Sequence, residues 1–118
     1  VSVRISSIAN AGEFDRERVV LQIEEDCDLG KYVVFCVRRS GPNAVDSGNV
    51  PAAYWFADKP VKKGDVAVLY SKAGKRSEKV SESGHTSHFF YWGRPESIWT
   101  AEKRAVLIDT RSYKFAAQ

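Results

Sequence analysis

Between residues 56 and 108 short apolar runs alternate with turn-rich breaks, and this order limits the fold more than any other feature of the chain. Val66-Ala67-Val68-Leu69-Tyr70, His88-Phe89-Phe90-Tyr91-Trp92 and Ala105-Val106-Leu107-Ile108 are rich in β-branched and aromatic residues and too short for stable helices. Lys62-Lys63-Gly64-Asp65 and Gly93-Arg94-Pro95 supply turns between them. The same grammar runs through the first half. Val1, Val3 and Ile5 alternate with Ser2, Arg4 and Ser6, and Val19, Leu21 and Ile23 alternate with polar neighbours. Tyr32-Val33-Val34-Phe35-Cys36-Val37 is apolar at every position, which predicts a central strand covered on both faces. A further short strand is expected at 53–57 around Trp55, and a last one at 112–115. Residues 13–17 and 100–104 fit single helical turns, and no longer stretch carries a 3.6-residue apolar period.

The expected fold is therefore all-β, an immunoglobulin-like antiparallel β-sandwich of about eight strands, forming one domain across 1–118. With 118 residues and 43% hydrophobic positions, a core can form without a metal or a disulfide. The three Trp, five Tyr and six Phe bring large buried area. Two of the three tryptophans are expected in the core, with Trp99, after the 93–95 turn, the one left partly exposed.

Net charge is +3, milder than a dedicated nucleic-acid binder usually carries. No run approaches the roughly 18 apolar residues of a membrane span, and none reads as a secretory leader. Cys27 lies in an acidic turn and Cys36 in mid-strand, a placement that favours two free thiols and an intracellular, reducing setting.

Four segments in order resemble the lamin tail domain, an immunoglobulin-like β-sandwich. They are Glu17-Arg18-Val19-Val20-Leu21; Asp28-Leu29-Gly30-Lys31-Tyr32-Val33-Val34; Phe56 with Val61-Lys62-Lys63-Gly64-Asp65-Val66-Ala67-Val68-Leu69-Tyr70; and Ser97-Ile98-Trp99 with Arg104-Ala105-Val106-Leu107-Ile108-Asp109. The resemblance spans nearly the whole chain. Thr100-Ala101-Glu102-Lys103 stands where the family commonly carries Asn and Gly-Asp. What the resemblance implies is a non-catalytic adaptor or interaction module.

The residues themselves offer few reactive constellations. His85 and His88, three apart, would face opposite sides of a strand, and a metal site needs three or four converging ligands; a solvent-facing loop pair is the plainer reading. No nucleophile elbow, phosphate loop or dinucleotide fingerprint occurs. Glu25, Asp26 and Asp28 disfavour a thiolate at Cys27. No catalytic, cofactor or metal site is expected. Lys72, Lys75, Arg76 and Lys79, on a polar hairpin at 71–87, form a candidate nucleic-acid or anion surface, with Tyr70, Phe89, Phe90 and Tyr91 nearby for base stacking. Trp99 and Arg94 are candidate partner-binding residues. The first expectation is a protein-interaction module, monomeric or weakly homodimeric, presenting the 40–51 loop, the 71–87 hairpin or an open strand edge to a protein partner. The alternative is a nucleic-acid-associated domain, and no membrane is expected.

Overall fold

Side chains of a strand point alternately to its two faces, so the parity of each apolar run decides which residues meet in the core. The computed structural model describes residues 2–118, so the expected strand residue Val1 lies outside the described residues. Eleven strands are formed among these residues: β1 (Val3–Ala9), β2 (Arg18–Ile23), β3 (Cys27–Asp28), β4 (Tyr32–Gly41), β5 (Ala44–Val45), β6 (Ala52–Trp55), β7 (Pro60–Val61), β8 (Val66–Tyr70), β9 (Ser77–Val80), β10 (Thr86–Tyr91) and β11 (Lys103–Asp109). A 3₁₀ turn, Leu29–Lys31, is the only helix among them. The fold is an all-β sandwich. One sheet has the order β1-β2-β8-β10-β9, the other centres on β4 with β11 on one side and β6 and β5 on the other, and β3 pairs with β7.

Val3, Val19, Leu21, Ala67, Leu69 and Phe90 from the first sheet meet Tyr32, Val34, Cys36 and Ala52 from the second in one core, with Leu29, Phe56, Val61, Ile98 and Trp99 filling in from the connections. Ring edges knit its centre: Phe56 lies 4.9 Å from Phe90 and 5.1 Å from Tyr54.

Several expectations need correction. Pairing is not antiparallel throughout, because β10 runs parallel to β8. The polar 71–87 segment leaves β8, adds β9 as an outer strand and returns antiparallel into β10, so β10 ends up alongside β8 in the same direction. Three of the eleven strands are two-residue bridges, which alternation cannot signal. Residues 112–115 form no strand; the chain beyond β11 is irregular. The 100–104 segment is a turn entering β11, closed by Lys103 N–H donating to the Thr100 carbonyl at 3.0 Å. The 13–17 segment does make one helical turn, with Arg16 and Glu17 N–H groups donating to the Glu13 carbonyl.

Four polar residues take inward positions on core strands or just beyond their ends: Glu17, Asp65, Ser71 and His88, all buried. Each continues the parity of the strand it adjoins. Glu17 precedes Val19 and Leu21, Asp65 and Ser71 bracket Ala67 and Leu69, and His88 precedes Phe90. The Glu17 carboxylate accepts from the Ser71 hydroxyl (2.5 Å), the Ser97 hydroxyl (2.5 Å), Ile98 N–H (3.0 Å) and Gly12 N–H (3.0 Å). Burial by itself pushes the Glu17 pKa up; the bonds from Ser71, Ser97, Ile98 and Gly12 outweigh it and hold the carboxyl below its ordinary value. At the other end of β8, Asp65 accepts from His88 Nε2 (2.9 Å), Thr86 N–H (3.0 Å) and Lys62 N–H (3.1 Å). Burial opposes its charge as well, and these donors again win.

Both carboxyls ionise more readily folded than unfolded. Their contribution is therefore fully present above the ordinary carboxylate range and is lost as pH falls through the folded values. Urea unfolding is expected to show stability declining below about pH 4. Glu17→Gln, which turns two acceptor oxygens into one acceptor and one donor facing hydrogen-bond donors, is expected to cost on the order of 2–4 kcal/mol at neutral pH and to flatten the acid slope. A variant as stable as the parent across that range would show that the carboxylate holds nothing together.

Candidate functional site

The inward parity of β4, β6 and β11 leaves a second set of side chains on the outside of the four-stranded sheet. On β4 these are Val33, Phe35 and Val37; on β6, Ala53 and Trp55; on β11, Arg104, Val106 and Ile108. The ladders align them in rows. Trp55 and Ile108 flank Val33, and Ala53 and Val106 flank Phe35. This is the doubly apolar strand expected at 32–37, but the second layer above it is thin. Trp55 donates its indole N–H to the Gly30 carbonyl at 2.7 Å, which fixes the ring, and the ring of Tyr113 meets it edge-on at 4.9 Å. Trp55 is still 50% exposed and Phe115 88%. Of the seven large apolar residues exposed among the described residues, six belong to this sheet or to the segments leading from it: Val45, Val50, Trp55, Ile108, Tyr113 and Phe115. Val80, on β9, is the seventh. Isolated surface apolar residues are ordinary, whereas a contiguous group marks an interaction surface.

The tryptophans are thus distributed otherwise than the sequence suggests. Trp55 is exposed, Trp92 is half-buried and Trp99, the expected partner contact, is 2% exposed. Ser97 and Ile98 are drawn to the Glu17 carboxylate, and the next residue is carried into the core with them, where its ring lies 6.2 Å from Trp92. Arg94 is half-buried; its backbone N–H donates to the Ser71 carbonyl at 2.8 Å, and its buried Nε has no acceptor. Neither Trp99 nor Arg94 sits on the exposed apolar group.

The basic hairpin is divided. Lys72 lies over the outward-facing ring of Tyr70, with Nζ 5.1 Å from its centre. Lys79 points outward from β9, whereas Arg76 reaches inward, 5.2 Å from the centre of the Phe90 ring. Lys75 is exposed on the loop before β9. Of the four aromatic residues beside the cluster, Phe90 is core and the other three are half-buried.

The inward face of β9 overhangs the β6–β7 connection, and two open clefts meet there, both lined by Lys59, Glu78 and His88. His88 is not a solvent-facing loop residue: it is 5% exposed. Its Nε2 is held by Asp65, and its Nδ1 faces Glu78 Oε2 at 3.2 Å, too oblique for a hydrogen bond. Lys59 Nζ, 3.0 Å from the same Glu78 oxygen, holds that carboxyl below its ordinary value. His85, the partner in the expected loop pair, is exposed, and its ring covers Gly64. Gly64 has φ +94°, a backbone conformation that favours glycine, and a Cβ there would meet the imidazole at 2.3 Å and displace it. Among the described residues no group of three or more His, Cys, Asp or Glu is placed to hold a metal ion, and no helix is long and apolar enough to cross a membrane. The Lys59–Glu78 pair ties the overhanging edge strand to the β6–β7 connection.

The parity that places Trp55 outward and Asp65, Ser71 and His88 inward is present in the sequence. Chemical type argued the other way at each position.

No protein-family model matches the chain, and no curated protein matches it.

Cys27 and Cys36 are both free. Burial raises the pKa of each, and at Cys27 the charges of Asp28, Asp26, Asp109 and Glu25 add to it. Iodoacetamide is therefore expected to alkylate Cys27 more slowly at neutral pH than it does a free thiol, with a pH–rate midpoint above the ordinary thiol value. A midpoint below that value would mark Cys27 as an activated nucleophile.

Proposed function

We propose that this chain is a non-catalytic protein-interaction module of the lamin-tail-domain kind, and that its partner docks on the outside of the four-stranded sheet. The observation that carries this reading is the exposed Trp55 and Ile108 on that face, with Tyr113 against Trp55 and exposed Val45, Val50 and Phe115 on segments adjoining the sheet. Trp55 anchors the group: it is large, oriented by its bond to Gly30, and open to a partner on its solvent side. Among the described residues the outer edge of β6 has no strand beside it, so an extended segment of the partner can pair there while its side chains reach Trp55. The 40–51 segment, with β5 and the exposed Val45 and Val50, borders the same face.

The family likeness draws support from packing between its segments. Glu17 of the first segment binds Ser97 and Ile98 of the last, and Leu21, Leu29, Phe56 and Trp99, one from each, share the core. An immunoglobulin-like sandwich commonly presents its loops and edges for binding.

A photoreactive residue at Val45 or Tyr113 is expected to form an adduct with the same protein in cells. Trp55→Ser with Ile108→Ser is expected to abolish the adduct and weaken binding of that partner at least tenfold while leaving the melting temperature within about 5 °C. An adduct of twice the chain mass would identify a second copy as the partner. Adducts that form only from positions on the five-stranded sheet would sink the reading.

A further inference from the structure

The outward face of the five-stranded sheet has a different chemistry from the apolar group above. Register places Arg18, Val20 and Gln22 of β2 beside Tyr70, Val68 and Val66 of β8. The next strand, β10, brings Tyr91, Phe89 and Ser87 alongside, and β9 brings Ser77 and Lys79. Arg4, Ser7 and Ala9 of β1 complete the face. No carboxylate stands among these outward strand positions. Arg4 is answered by Glu24, at 2.6 Å. Arg18, Lys72 and Lys79 have no acidic partner within ion-pair distance among the described residues.

The cations are positioned on the face. The Arg18 guanidinium lies 5.8 Å from the centre of the Tyr70 ring and its Nη1 is tied to Asn10 Oδ1 and the Arg16 carbonyl. Lys72 Nζ lies 5.1 Å from the same ring centre. Tyr70 and Tyr91 are stacked, 5.4 Å apart and within 10° of parallel. Gly74 lies so close to Tyr91 that a Cβ would come within 2.4 Å of its ring, so the loop carrying Lys72 and Lys75 is laid against this pair. Arg18 and Lys79 stand three strand spacings and four residues of register apart, about 20 Å on the diagonal, with the row of half-buried or buried Val20, Val68 and Phe89 lying between them.

We propose that this face binds single-stranded nucleic acid, with Arg18, Lys72 and Lys79 holding phosphates and Val20, Val68 and Phe89 lying beneath the bases. The charge complementarity is one-sided: cations at both margins, no acid between them. A flat sheet offers no helix or protruding ribbon to enter a duplex groove, whereas a single strand exposes base faces that an apolar floor can cover. The sequence cluster is thereby reassigned. Lys72 and Lys79 belong to the surface, Arg18 joins them from β2, and Arg76 points to the opposite side of the sheet.

The test is fluorescence anisotropy with a labelled oligothymidylate of about 16 nucleotides across a salt series. Three phosphate contacts give an expected slope of log K against log salt of about −2. Lys72→Ala with Lys79→Ala is expected to weaken binding at least tenfold at low salt and to make the slope shallower by about 1.4. Phe89→Leu, which keeps an apolar side chain, is expected to weaken binding several-fold with the slope unchanged. Thermal melts of the variants, matched to the parent, establish that each is folded. The proposal is overturned by absence of binding at low salt, by a slope that the double lysine change leaves intact, or by duplex DNA or inorganic polyphosphate binding as tightly as the oligonucleotide at equal salt.

Discussion

Two buried carboxylates fix the ends of β8, and one of them, Glu17, also ties the first sheet to the 97–98 connection. Glu17 grips Ser71 where β8 ends, and Asp65 grips His88 and Thr86 where β8 begins. A buried charge without partners costs several kcal/mol, so such a group is tolerated only where donors surround it. Here four donors converge on Glu17 and three on Asp65, most of them from chain segments distant in sequence. Each carboxylate therefore specifies where loops must sit. The 97–98 connection, the 12–17 turn and the end of β8 are all located by one side chain, and the burial of Trp99 follows from that placement.

With the core so defined, the two outward faces are left to differ. The four-stranded sheet continues apolar on its outside, with Trp55, Val33 and Ile108 in one row and the Tyr113 ring edge-on to Trp55. The five-stranded sheet carries cations at its margins and no outward carboxylate. One fold can thus present two surfaces of unlike chemistry without either disturbing the other, because the strand residues involved have the parity opposite to that of the core. The clefts beneath β9 lie at the margin of the interior, and the Lys59–Glu78 pair there seats the edge strand.

Much of the strand order was legible in the alternation. Val19, Leu21 and Ile23, and Val66 to Tyr70, lie in the strands their pattern predicts. What alternation could not show was pairing partner and direction. β9, Ser-Glu-Lys-Val, has no apolar rhythm because it is an edge strand exposed at every position, and its insertion is what makes β10 parallel to β8. The rhythm at 112–115 was real, yet the segment pairs with no strand among the described residues. For the polar residues, type competed with position. A glutamate before a strand and a histidine near a hairpin both look like surface groups, and only their parity with Leu21 and Phe90 marks them as inward-facing. Trp99 failed for a related reason, since its burial depends on a hydrogen bond accepted 81 residues away.

That separation has a consequence for how the chain assembles. The partners of Glu17 lie 5, 54, 80 and 81 positions away, so its charge can shed water only after distant segments have arrived. The first hairpin, β1 with β2, can form early from local contacts, but its inward face must remain hydrated at the Glu17 end until the 97–98 loop closes over it. Closure of that loop is a long-range step, of the kind whose chain-entropy cost slows folding.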